Sequence, residues 1–136
     1  MRGPNARPIA DLIARGDRAS IRAQAQFGDF LAIGLNDLRQ AADALSRESG
    51  DAVRRQRLLF IVQDLRTAST TAGRLQLGSV LASLENAARM DALDAEILQL
   101  HLDAAMLASN PVLPERDYQR LSANLARAVA HRSGRA

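Results

Sequence analysis

Among the 136 residues there is no cysteine, no lysine and no tryptophan, and only one tyrosine and three phenylalanines. Without cysteine there can be no disulfide framework, no thiolate metal site and no cysteine nucleophile. The shortage of aromatics leaves the core to Leu, Ala, Ile and Val, a mixture that favours helices over strands. No apolar run approaches the ~18 residues needed to span a bilayer, so no membrane partner is expected. The opening Met1-Arg2-Gly3-Pro4-Asn5-Ala6-Arg7-Pro8 is not followed by an apolar signal-peptide core, which makes the cytoplasm the expected location. No glycine-rich phosphate loop, paired catalytic carboxylates or Ser-His-Asp set can be assembled, so neither an enzyme nor a cofactor is expected.

What replaces lysine is arginine. All 18 basic residues are Arg, and they raise the formal net charge to +3 and the pI to about 10.8. Such uniform usage fits a GC-rich coding sequence as well as a selected phosphate-binding surface. The charge is also uneven. Residues 1–22 hold five Arg and two Asp, residues 111–136 hold five Arg with Glu115 and Asp117, and residues 23–110 hold eight Arg against eleven acids. A nucleic-acid-binding module acting through its Arg-rich termini is therefore the alternative to the reading given below. It is not the expected one: the shortage of aromatics removes base stacking, though not backbone contacts, and the basic charge sits at the chain ends, whereas a domain built to hold a polyanion more often carries it on a folded face.

The length suits one domain, and the periodicity is helical throughout. Residues 8–15 can form a short helix ending at Gly16, and Asp17 can cap a long helix over about 19–48. In that helix Leu31, Leu35, Leu38, Ala42 and Leu45 share a face, which Ile21, Ala25 and Gly28 extend backwards. Ser49 and Gly50 stop it, and Asp51 caps a second helix over about 52–72 with a stripe of Leu58, Ile61, Leu65, Ala68 and Ala72. After Gly73, a third helix to Met90 buries Leu77, Leu81, Leu84 and Ala88. Asp91 caps a fourth, with Leu93, Ile97, Leu100, Ala104 and Leu107 inward, and Asn110-Pro111 ends it. A last helix from Pro114 presents Tyr118, Leu121, Leu125 and Val129, which could also anchor a helical protein-interaction module to a partner groove or a second copy. The expected fold is all-α: an antiparallel four-helix bundle over residues 19–110, an N-terminal arm with a short helix over 1–18, and a C-terminal helix with a basic tail over 111–136.

The run from Leu58 to Glu85 carries Gln63, Leu65-Arg66, Gly73 and Leu84-Glu85 at spacings that resemble the histidine phosphotransfer (Hpt) signature. In that family an apolar helix bears a phosphoacceptor histidine followed by leucine, a basic residue and glycine, then a second glycine and a closing Leu-Glu. Aligned without gaps, Leu65, Arg66, Gly73, Leu84 and Glu85 match, Thr67 takes the first glycine's place, and Gln63 stands where the histidine belongs. The resemblance covers roughly residues 27–108. It implies a module of two-component, phosphorelay signalling of the bacterial kind, whose partner is the receiver domain of a response regulator or a histidine kinase. The chain departs from the family at its reactive residue. An amide nitrogen is not a nucleophile, since its lone pair is delocalised into the carbonyl, so phosphotransfer is not expected. Helical spacing independently turns Gln63 away from the core, on a line of Arg55, Leu59, Gln63, Arg66, Thr70 and Arg74. With Thr67, these residues are the expected partner-binding face.

The remaining candidates have plainer readings. His101 follows the Leu100 core position and is read as a half-buried helix-flank histidine, with a displaced phosphoacceptor as the alternative. His131 lies in the basic tail. Two separated histidines without clustered carboxylates make no metal site. Asp64 and Glu85 can pair with Arg66 and Arg89, the Glu85–Arg89 spacing being that of an ordinary surface pair. Ser69-Thr70-Thr71 could be phosphorylated or contact a partner, and reads more simply as hydroxyls easing the helix toward Gly73.

Overall fold

The computed structural model describes residues 6–48, 51–90 and 93–133. Within them the chain forms five helices and no strand: α1 (Ala6–Arg47), α2 (Ala52–Thr71), α3 (Leu75–Arg89), α4 (Ala95–Ala108) and α5 (Glu115–Ser133). The all-α expectation is met. α1 packs against α2 and α4, α3 packs against the same two helices, and α5 lies across α3 and α4. None of these helices is long and apolar enough to cross a membrane.

The α2–α3 pair follows its local signals closely. Asp51 caps α2, its Oδ1 accepting from the Val53 and Arg54 backbone N–H groups at 2.9 and 3.3 Å. Gly73 has φ 77°, a conformation open to glycine at little cost. There the Gly73 N–H donates to the Thr70 carbonyl and the Arg74 N–H to the Ser69 carbonyl, which closes the helix end with paired reverse-turn bonds. Leu58 and Leu65 of α2 meet Leu77, Leu81 and Leu84 of α3 in the core. The buried face of α2 is nevertheless rotated from the expected stripe: Val62 and Ser69 are buried, Ile61 and Ala68 are half-buried, and Ala72 is exposed. Wedged between α1 and α3, α2 buries the arc that both neighbours cover.

This rotation places the Ser69 hydroxyl in the interior, where it has no hydrogen-bond partner. A buried hydroxyl without a partner costs about 1–3 kcal/mol, and alanine is also the better helix former. Ser69→Ala should therefore raise the unfolding free energy by about 1 kcal/mol, read from the midpoint of denaturant unfolding. A lowered midpoint would show that the hydroxyl is satisfied.

Three expectations are corrected. Gly16 does not stop a helix: α1 runs unbroken through Gly16 and Asp17, so the boundary drawn at residue 18 falls inside it. A solvent-facing glycine costs a helix only about 1 kcal/mol relative to alanine, and Ala10, Ala14, Ala19 and Ala23 around it are strong helix formers. The core stripe of α1 begins only at Leu31, while Ile21, Ala25 and Gly28 are exposed. In α4, Leu100 and Leu107 point outward, and Leu98, His101, Leu102 and Ala105 fill the interior beside Ile97 and Ala104. The cap of α4 is Asp94, whose Oδ1 accepts from the Ile97 N–H at 2.9 Å. The expected stop at Ser49 and Gly50 and the expected cap Asp91 lie outside the described residues. The anchors of α5 are used within the chain: Leu125 is buried, and Tyr118 and Leu121 pack against the core.

Candidate functional site

The α2–α3 contact, the most extensive in the fold, holds a polar cluster. Glu85 projects from α3, one residue after the core position Leu84, and its side chain is only 8% exposed. A carboxylate so placed must be satisfied from within. Its Oε1 accepts from Gln63 Nε2 at 3.3 Å and pairs with an Arg89 guanidinium nitrogen at 2.7 Å. Its Oε2 accepts from Arg66 Nε, also at 2.7 Å. The two arginines keep water on their outer sides, so the cluster has one buried anion, two half-wetted cations and a neutral amide. Asp64, expected to share these pairs, is exposed on another side of α2. The Glu85–Arg89 pair is not the ordinary surface contact its spacing suggests, because its carboxylate is buried.

The seven residues of the expected face separate into groups. Gln63 and Arg66 lie together in the cluster, and Thr67 and Thr70 are exposed beside it. The Thr70 hydroxyl donates to the Arg66 carbonyl at 3.0 Å, one helical turn back. Arg55 and Leu59 are half-buried. Arg74 turns elsewhere: its guanidinium donates to the Ser109 and Ala108 carbonyls at 2.6 and 3.3 Å and stands 5.9 Å from the centre of the Phe27 ring. It ties the C-terminal end of α4, where carbonyls carry partial negative charge, to α1. Leu59 is the apolar member of the expected face, but the exposed apolar side chain on this part of α2 is its neighbour Phe60, at 71%. It lies three residues before Gln63 on α2, and the signal that could have found it was the core stripe itself, which Phe60 does not join.

His101 is fully buried rather than half-buried, and both ring nitrogens are engaged. Nδ1 lies 2.8 Å from the Ile97 carbonyl and Nε2 lies 2.9 Å from Ser83 Oγ. A carbonyl only accepts, so Nδ1 carries the proton; in the neutral ring Nε2 then accepts from the Ser83 hydroxyl. Burial pushes the imidazole below its ordinary pKa of 6.5, and the Ile97 hydrogen bond opposes that shift. A ring enclosed between α3 and α4 is out of reach of another protein's phosphoaspartate. His131 is exposed on α5. Among the described residues no group of three or more His, Asp or Glu side chains could hold a metal ion.

Comparison with protein-family models, with curated proteins and with solved structures found no match to this chain.

Proposed function

We propose that the chain is a non-catalytic docking module of the Hpt type, acting in two-component signalling in the cytoplasm. It takes up the receiver domain of a response regulator, or a histidine kinase, on the α2–α3 face centred on Gln63. The helix order and the spacing of Gln63, Leu65-Arg66, Gly73 and Leu84-Glu85 support the family reading, with α1 to α4 as the bundle and α5 as an addition. The observation that carries it is the Glu85 cluster. At the position where the family bears its nucleophile, this chain has an amide bonded to a buried carboxylate. That carboxylate also fixes Arg66 and Arg89. Two guanidiniums against one carboxylate leave an excess of positive charge suited to the acidic pocket of a receiver, and Phe60 adds an exposed aromatic anchor of the kind that dominates interfaces. With no nucleophile, the module acts by occupancy, keeping a receiver from its phosphodonor or a kinase from its receiver.

The test is titration of the purified chain against receiver domains and histidine kinases from the same genome at low and high salt. One-to-one binding that persists in salt is expected, whereas phosphate-driven nucleic-acid binding through the Arg-rich ends would collapse. Arg66→Glu should weaken binding at least tenfold. Phe60→Ala, which leaves the Glu85 cluster intact, should do the same with unchanged helical content. Receiver binding indifferent to both substitutions would place the interface elsewhere, and no binding to any receiver or kinase would end the docking proposal.

A further inference from the structure

We infer that the groove where α1 meets the end of α4 binds a small amphipathic carboxylate, a free fatty acid, whose head group pairs with Arg74. The groove encloses about 770 Å³ and is walled by Phe27, Leu31 and Leu35 of α1, by Met106 of α4, and by Pro111 beyond it. That volume falls within the ~300–1,000 Å³ of small-molecule sites, which are mostly apolar with a few polar groups that fix orientation. Among the described residues that line it, Arg74 alone is charged.

Arg74, expected on the docking face, is carried by the Gly73 turn to this groove instead, where it is half-buried. Its Nη2 donates to the Ser109 and Ala108 carbonyls, and the guanidinium stands near the Phe27 ring. Carbonyls at a helix end carry about half a negative charge, so they hold the side chain without neutralising it. α3 opens at Arg74 with no side-chain cap, and the partial positive charge of its first turn offsets theirs. Arg74 Nε and Nη1 have no acceptor among the described residues. A half-buried guanidinium without a carboxylate selects an anion, because the two form short, charge-assisted bonds.

The walls select what the anion carries. A phosphate head, with nearly two charges, would call for a second cation, and none lines the groove. A peptide would bring backbone N–H and C=O groups that need partners. The groove has few to give, since the Ser109 hydroxyl already donates to the Met106 carbonyl at 2.6 Å. An alkyl chain asks for none.

Decanoate, titrated into the full chain by calorimetry below its micelle-forming concentration, should bind saturably and one-to-one. Decanol, with the chain and no charge, and acetate, with the charge and no chain, should each bind at least tenfold more weakly. Arg74→Gln should weaken decanoate binding at least tenfold, and circular dichroism shows whether it stays helical. Gly28→Phe leaves Arg74 untouched. Gly28 lines the groove and a Cβ there meets nothing within 4 Å, so the ring can fill the space of the alkyl chain. It should abolish binding with helical content unchanged. Absence of saturable decanoate binding overturns the proposal, as does binding indifferent to Gly28→Phe or decanol that binds as tightly as decanoate. Self-association in sedimentation velocity that is lost in Gly28→Phe would also overturn it, showing the groove covered by a second copy. The groove shares no residue with the Glu85 cluster, so this outcome and that of the docking test are independent.

Discussion

Gly34→Val is expected to lower the unfolding free energy by about 2–3 kcal/mol, because the α1–α2 contact leaves no room for a side chain there. A Cβ at Gly34 would collide with Leu65 Cδ2 and lie 3.2 Å from its Cγ. Leu65 is itself 2% exposed, so it has no free space into which to turn. Gly34→Ala is the weaker probe, since the ~1 kcal/mol that alanine gains in helix propensity works against the clash. Valine gains less and intrudes further. Leu65→Ala alone should cost about 2–5 kcal/mol through its cavity. Combined with Gly34→Val the loss should fall clearly short of the sum, since each change relieves the other. Additive losses in denaturant unfolding would mean that the two residues do not meet.

His101→Ala should cost about 3 kcal/mol, since it empties a filled site between α3 and α4 and leaves Ser83 without its partner. The wild-type ring also contributes a pH dependence of definite sign. Burial holds the folded imidazole below its ordinary value of 6.5. Between that lowered value and 6.5 the unfolded chain binds a proton that the folded chain does not. Stability from this group is therefore complete above about 6.5 and falls as the pH drops through that window. A single proton contributes a slope of at most about 1.4 kcal/mol per pH unit. His101→Leu keeps the volume and removes the titration, so its stability curve should diverge from the wild type's below pH 6.5. Parallel curves would show that the folded ring titrates as freely as the unfolded one.

Where a helix sets its leucines on one stripe between local stop signals, periodicity was enough to place it, even though the buried face of α3 is wider than that stripe and takes in Val80, Glu85 and Ala87. Leu77, Leu81 and Leu84 of α3, the Asp51 cap and the Gly73 turn are such cases. α4 is different. Its apolar residues surround the helix, so one phase of the repeat chooses Leu100 and Leu107 and another chooses Leu98 and Leu102. Only the positions of the neighbouring helices decide between them, and those are not local properties. Gly16 posed the same difficulty in reverse: the sequence offers a stop, and the surrounding propensity overrides it.

At the candidate site the sequence offered Glu85 as a partner for Arg66 and Arg89, as found, but helical spacing could not show that Glu85 is buried or that it also holds Gln63, 22 residues away on another helix. Arg74 was misplaced for a geometric reason. It follows Gly73, whose positive φ ends α2, so the angular step that relates Arg55 to Gln63 no longer applies to it.

Arg66 and Arg89 are held by a carboxylate that cannot move far, and this changes what a partner would encounter. A free surface arginine has many rotamers, and most must be given up when it is gripped. Here much of that freedom is surrendered as the chain folds, so less conformational entropy is lost on association. The α2–α3 surface is in this sense partly set before anything binds to it. Association that relies on it should depend on diffusion and orientation more than on a search among side-chain conformations.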